Sequence, residues 1–191
     1  MTSSKRFPAS GAALLIIDVQ EKLLPATLGE GAGVVANARR LIRAARLLEI
    51  PVLATEQYPA GLGPTVAALA ELLPDRRPKT SFQAADAAGL MQAGADSPIR
   101  HVTLVGIEAH VCILQTALEL IDRGFGVQVV ADAVTSRAEF DYTYALRRLE
   151  FAGAVLTTTE AVMFEWVGGS KHPSFKGISA LVKEFQPSNL V

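Results

Sequence analysis

Residues that cross-link a chain or hold a metal are scarce here. The 191 residues include one cysteine, Cys112, and three histidines, none before His101. A single cysteine allows no internal disulfide, which suits a reducing cytoplasm, and it cannot build a cysteine-based zinc site. Long apolar runs are also missing. The longest, Ala12 to Ile17, stops at Asp18, far short of the roughly 18 to 20 residues that span a bilayer. The same shortness argues against a signal peptide behind Lys5 and Arg6. No membrane association is expected. Charge of one sign is lacking too: the net charge is −1 with no basic cluster, so nucleic acid is not the expected partner.

What is present is core-forming material. Half of the residues are hydrophobic and 19% are charged, a balance that excludes disorder and supplies one domain of ordinary size. Apolar strand-length runs alternate with helical patterns. Ala12–Ile17, Pro51–Thr55, His101–Val105, Val127–Ala131 and Gly153–Leu156 read as strands, with a weaker extended piece ending near Lys79. Helices are predicted over Val34–Glu49, Val66–Leu73, Asp86–Ala93, Val111–Arg123, Glu139–Phe151, Glu160–Val167 and Pro173–Phe185. In the first of these, Arg39, Arg40, Arg43 and Arg46 are expected to share the solvent face. Strands without a polar face belong inside parallel sheets. The alternation therefore predicts an α/β fold: a three-layer α/β/α sandwich with a mainly parallel sheet of five or six strands. It is read as a single domain over residues 1–191, with a core of about 12–166.

In such sheets ligands bind beyond the carboxyl ends of the strands. There the sequence offers Asp18 and Gln20, then Glu56, Gln57 and Tyr58, then Lys79 and Phe82, then Glu108, His110 and Cys112, then Asp132, Ser136 and Arg137. A cysteine, an acid and a lysine are the inventory of nucleophilic catalysis. Each also has a plainer reading. A lone cysteine packs as a small hydrophobe, Asp18 could cap a turn, Lys79 could be a surface lysine, and Asp132 reads best as a cap of the following turn. His110, two residues from Cys112 on a helix, points away from it and reads as structural or as a pocket edge. The strand-to-helix position of Cys112 favours a thiolate, because unpaired N–H groups and the positive end of the macrodipole lie there.

Four ordered blocks carry a resemblance: Leu14-Leu-Ile-Ile-Asp18-Val-Gln20, Arg77-Pro-Lys79-Thr-Ser-Phe82, Val105-Gly-Ile-Glu-Ala-His-Val-Cys112-Ile-Leu-Gln-Thr-Ala117 and Val130-Ala-Asp-Ala-Val-Thr-Ser-Arg137. Together they resemble the isochorismatase-like cysteine hydrolases, from about Ala12 to Trp166. The resemblance implies a triad of Asp18 as base, Lys79 as support and Cys112 as nucleophile, attacking a small amide or related C–N bond through a thioester. It implies a non-proline cis peptide at Ile107–Glu108 and an oxyanion hole from the backbone N–H groups of Glu108 and Cys112. It also implies a homo-oligomer, which the high apolar content supports, and a small-molecule substrate. No cofactor is implied. Nicotinamidases of this superfamily hold a metal through histidines after the second strand, whereas this chain has Thr55-Glu-Gln-Tyr-Pro59 there, so no metal is expected. Gln20, Gln57, Tyr58, Phe82 and Trp166 are the expected substrate-binding residues. Two other readings stand beside this one: a vinyl-ether hydrolase with Asp18 as proton donor, and a non-catalytic binding protein on the same fold.

Overall fold

The computed structural model describes residues 6–90 and 98–184. Among them, six strands form one parallel sheet in the order β3-β2-β1-β4-β5-β6. They are β1 (Ala12–Ile17), β2 (Val52–Gln57), β3 (Arg77–Lys79), β4 (His101–Ile107), β5 (Gly126–Thr135) and β6 (Val155–Thr157). The helices are α1 (Ala32–Leu47), the single turns α2 (Pro59–Leu62) and α3 (Ala67–Ala70), then α4 (Leu114–Asp122), α5 (Glu139–Phe151), α6 (Thr159–Val167) and α7 (Phe175–Lys183). The three-layer expectation holds, and β1 shows why. All six of its side chains are buried. Leu14 and Ile16 join the core beneath α1, α6 and α7, while Leu15 and Ile17 join the core beneath α4 and α5. Each such side chain is worth about 1.5–3 kcal/mol on burial, so neither face of the strand can be left wet.

Three local expectations are corrected. Asp86–Ala93 is not a helix in its described part: Gly89 takes a positive φ of 76°, and the Leu90 N–H closes onto the Ala85 carbonyl, ending the turn. Residues 91–93 lie outside the described residues, as does residue 185 at the end of the last predicted helix. Arg40 is buried rather than solvent-facing. Its guanidinium donates to Asn37 Oδ1 at 2.5 Å and feels the charge of Asp132 and Glu160. Finally, β5 continues to Thr135 through an irregularity in which two residues along β4 are matched by five along β5.

The strand order reverses between β1 and β4, and that is where a crevice opens beyond the strand ends. Gly106 lets the two strands close there. Its φ is 125°, and a Cβ on it would lie 2.1 Å from the Ile17 carbonyl oxygen.

Candidate active site

Asp18, Lys79 and Cys112 come from the ends of β1, β3 and β4, and the fold brings them together. Asp18 follows β1 with φ 55°, a left-handed turn that short polar side chains tolerate better than most. Its N–H donates to Thr55 O at 3.1 Å, and the Thr55 hydroxyl donates to its Oδ1 at 2.8 Å. Lys79 Nζ lies 2.6 Å from Asp18 Oδ2 and 3.6 Å from Cys112 Sγ. It also donates to Gln57 Oε1 at 2.5 Å and to the carbonyls of Ser81 and Phe82 at 3.1 and 3.2 Å. The plainer reading of Lys79 as a surface lysine fails: it is buried, and its ammonium is fully engaged.

Cys112 sits in a π-helical turn, Ala109–Ile113, that joins β4 to α4. The Thr116 hydroxyl donates to the Cys112 carbonyl at 2.6 Å and accepts from the Ala84 N–H at 2.9 Å. The peptide between Ile107 and Glu108 is cis.

Electrostatics correct one expectation. Burial pushes the Cys112 thiol up to about 12; the Asp18 charge adds to this, and Lys79 opposes it. Burial also raises the Asp18 carboxyl above its ordinary range, against the pull of Lys79 and the hydrogen bonds from Lys79, Thr55 and Cys112. The helix end therefore does not yield a resting thiolate. Desolvation penalises that charge more than backbone dipoles reward it. The arrangement holds a neutral thiol beside a carboxylate basic enough to accept its proton, with an ammonium touching both.

The remaining expected residues divide. Gln57 fixes Lys79 through Oε1 and donates from Nε2 to Thr80 O at 2.8 Å. Gln20 is fully buried and stitches the loops together, exchanging hydrogen bonds with the Gln57 backbone and donating to Gly63 O at 2.6 Å. Tyr58 and Phe82 are exposed and flank Lys79 in the chain and the sheet. Trp166 is corrected: it is buried in the core beneath α1 and α7, across the sheet from the core that contains Cys112, so it walls no crevice.

Some partners escaped the sequence reading. Thr55 became visible only through its register beside Ile17. The Glu108 carboxylate binds the Arg137 guanidinium at 2.6 and 3.0 Å and accepts from the Arg137 backbone N–H at 3.2 Å. Burial opposes the Glu108 charge, but these bonds outweigh it and hold its carboxyl below the usual range. His110 Nδ1 pairs with Ser136 Oγ at 3.0 Å. Asp132 caps a more distant element than expected, accepting from the Thr159 N–H and hydroxyl at 2.8 and 3.0 Å at the start of α6. At the end of β2, Glu56 is committed to Thr65 and Arg76.

Comparison with known proteins agrees with this fold. A family profile described as the isochorismatase domain matches residues 12–161. Isochorismatase domain-containing protein 2 of Danio rerio is 42% identical over 187 residues, covering 98% of this chain and 94% of its own. A solved structure described as MAR1 ribonuclease from Caenorhabditis elegans superposes with a TM-score of 0.88 at 41% identity, covering 98% of this chain and 97% of that one. The YcaC gene product of Escherichia coli, described as an octameric hydrolase of unknown specificity, superposes with a TM-score of 0.86 at 25% identity, covering 98% and 94%. On sequence, fold and relatives alike, the chain belongs to the isochorismatase-domain family of hydrolases.

Proposed function

We propose that this protein is a cysteine hydrolase that cleaves a small amide or a related C–N bond through a thioester on Cys112. The observation that carries the reading is the Lys79 ammonium lying 2.6 Å from Asp18 Oδ2 and 3.6 Å from Cys112 Sγ. Three separate strands supply these groups, and all three are buried, which is costly unless the charges are used or paired. In the proposed sequence, the Cys112 proton passes to Asp18 as sulfur bonds to the carbonyl carbon. The carbonyl oxygen takes up the negative charge and is met by the backbone N–H groups of Glu108 and Cys112. Donors of this kind are worth about 2.7–4 kcal/mol each. Collapse of the adduct expels the amine, which leaves with the proton from Asp18. Water then attacks the thioester carbonyl, giving its proton to Asp18, and the acid product departs as the thiol is restored. Lys79 holds the carboxylate in line and offsets the thiolate charge while it exists. Gln57 acts here by orienting Lys79, and Tyr58 and Phe82 border the entrance.

The substrate is a small molecule in this reading, and the setting a reducing cytoplasm in which one thiol stays reduced. Homo-oligomeric assembly belongs to it as well, since the E. coli relative is described as octameric. The C. elegans relative carries the name of a ribonuclease. A net charge of −1 argues for a small substrate in this chain.

A panel of small amides assayed for ammonia or amine release tests the proposal, with RNA and a vinyl ether included. Activity on an amide that disappears in Cys112→Ala, with an acyl adduct on Cys112 seen by mass spectrometry, is the expected outcome. Hydrolysis that survives Cys112→Ala but not Asp18→Asn would sink it in favour of ether chemistry.

A further inference from the structure

Although Asp141 on its flank lies 3.9 Å from His110 Nε2, the outer face of α5 supplies none of Asp18, Lys79 and Cys112. Its inner stripe, Tyr142, Ala145, Leu146 and Leu149, packs onto the sheet. Its outer stripe is Phe140, Tyr144, Arg147 and Phe151, spaced four, three and four residues apart. Phe140 is 73%, Tyr144 52% and Phe151 94% exposed. The rings are already ordered: Phe140 and Tyr144 lie 4.7 Å apart, and the Arg147 guanidinium lies 5.3 Å above the Tyr144 ring. At roughly 200 Å² per aromatic side chain, the exposed fractions amount to about 400 Å². A rimmed apolar patch of that size matches the largest patch on a typical monomer, which is often functional.

We propose that this face docks a second copy of the chain, with the two α5 helices antiparallel about a two-fold axis. The inference is independent of the chemistry proposed for Cys112. Its warrant is that the stripe is self-complementary. The spacing reads the same in both directions, so one antiparallel register pairs Phe140 with the second copy's Phe151 and Tyr144 with the second copy's Arg147. The same register serves the rim. Asp141 and Arg148 lie on one flank of the stripe, and each comes within about half a helical turn of its opposite in the other copy. A two-fold contact requires that match of a surface with itself. Glu139 and Glu150 on the other flank meet with like charge, so the aromatics drive the contact and the Asp141–Arg148 pairs set its direction. The seam spacing is that of helices packed knobs-into-holes. The aromatic area is about half of the roughly 800 Å² per partner found in stable interfaces, with the charged flanks adding to it.

Light scattering and sedimentation velocity on the full chain test this. The expected mass is at least twice the 20.3 kDa of one chain. Phe151→Glu, with circular dichroism to verify folding, should weaken association at least ~10-fold, the size of effect expected for a buried aromatic anchor. Asp141→Arg should weaken it through apposed arginines, and Asp141→Arg combined with Arg148→Asp should restore it. That reciprocal rescue belongs to self-pairing alone. A mass of one chain at about 100 μM, far above the dissociation constants of stable dimers, would overturn the proposal. So would assembly unchanged in both Phe151→Glu and Asp141→Arg.

Discussion

Cys112 is under two opposing demands in the proposed reading: it is buried in the core beneath α4 and α5, and it must lose a proton to react. The structure meets both by deferring ionisation. Alkylation of the free protein by iodoacetamide should therefore be slow at neutral pH and rise only as the thiol approaches about 12. A midpoint below 8 would contradict the geometry described. The causes give a sharper forecast. The Asp18 charge raises the thiol and Lys79 lowers it, so Asp18→Asn should move the alkylation midpoint down, while the amide hydrolysis proposed for this crevice should fall by about 10²-fold or more, as for loss of a general base. Lys79→Met should move the midpoint up. Glu108 makes a prediction about stability. Its folded carboxyl lies below the ordinary value. Its pairing with Arg137 thus contributes fully above the unfolded value near 4.5 and fades as pH falls through the folded one. Glu108→Gln should cost about 1 kcal/mol at pH 7, an ion-pair value discounted because Arg137 is more than half exposed. The difference should shrink as pH falls below the unfolded value and through the lowered folded one; urea midpoints followed from pH 7 into acid measure it. At this scale Asp18 and Cys112 were legible in the chain because each follows a recognisable strand, and Lys79 because its block resembles the family's. Trp166 misled, because an aromatic on a helix can face the core or a crevice, and only packing says which.

Elements turn these residues toward each other, and two glycines separate their contributions. Gly106 combines φ 125° with a Cβ position 2.1 Å from the Ile17 carbonyl oxygen. Gly124 has φ 85° with nothing within 4 Å of its Cβ position. Gly124→Ala should cost about 1 kcal/mol of backbone strain. Gly106→Ala must also part β1 from β4, and should cost about 3 kcal/mol or more. Thermal unfolding of the two variants side by side checks this, and equal losses would mean that the close approach of the strands is unimportant. Long periodic helices such as α1 and α5 were readable from apolar spacing. The π turn at Ala109–Ile113 was not, because it shares the apolar pattern of the helix it precedes. The irregularity in β5 was also silent, since the half-buried Ala131 and exposed Asp132 within it look like the end of a strand.

For the molecule as a whole, the crevice is a load on stability. Lys79 and Asp18 are buried together, and removing one partner of such a pair leaves an uncompensated charge. Lys79→Met alone should destabilise by about 3–5 kcal/mol. The double variant Asp18→Asn with Lys79→Met should recover most of that loss and lie near or above the parent, because a buried ion pair gains little over neutral groups of similar size. Chemical denaturation of the three proteins decides it: a double variant no better than Lys79→Met would show that the pair holds the fold rather than taxing it.

By itself, the sequence determined the class of fold and the candidate chemistry. Uniformly apolar strands force a covered parallel sheet, and Asp18, Lys79 and Cys112 fall at strand ends where such sheets bind ligands. Only the tertiary structure decided that these three groups meet within a few ångströms, that the thiol rests protonated, and that Glu108 is tied to Arg137. Strand order and register set those distances, and desolvation depends on what surrounds a group in space rather than on its neighbours along the chain.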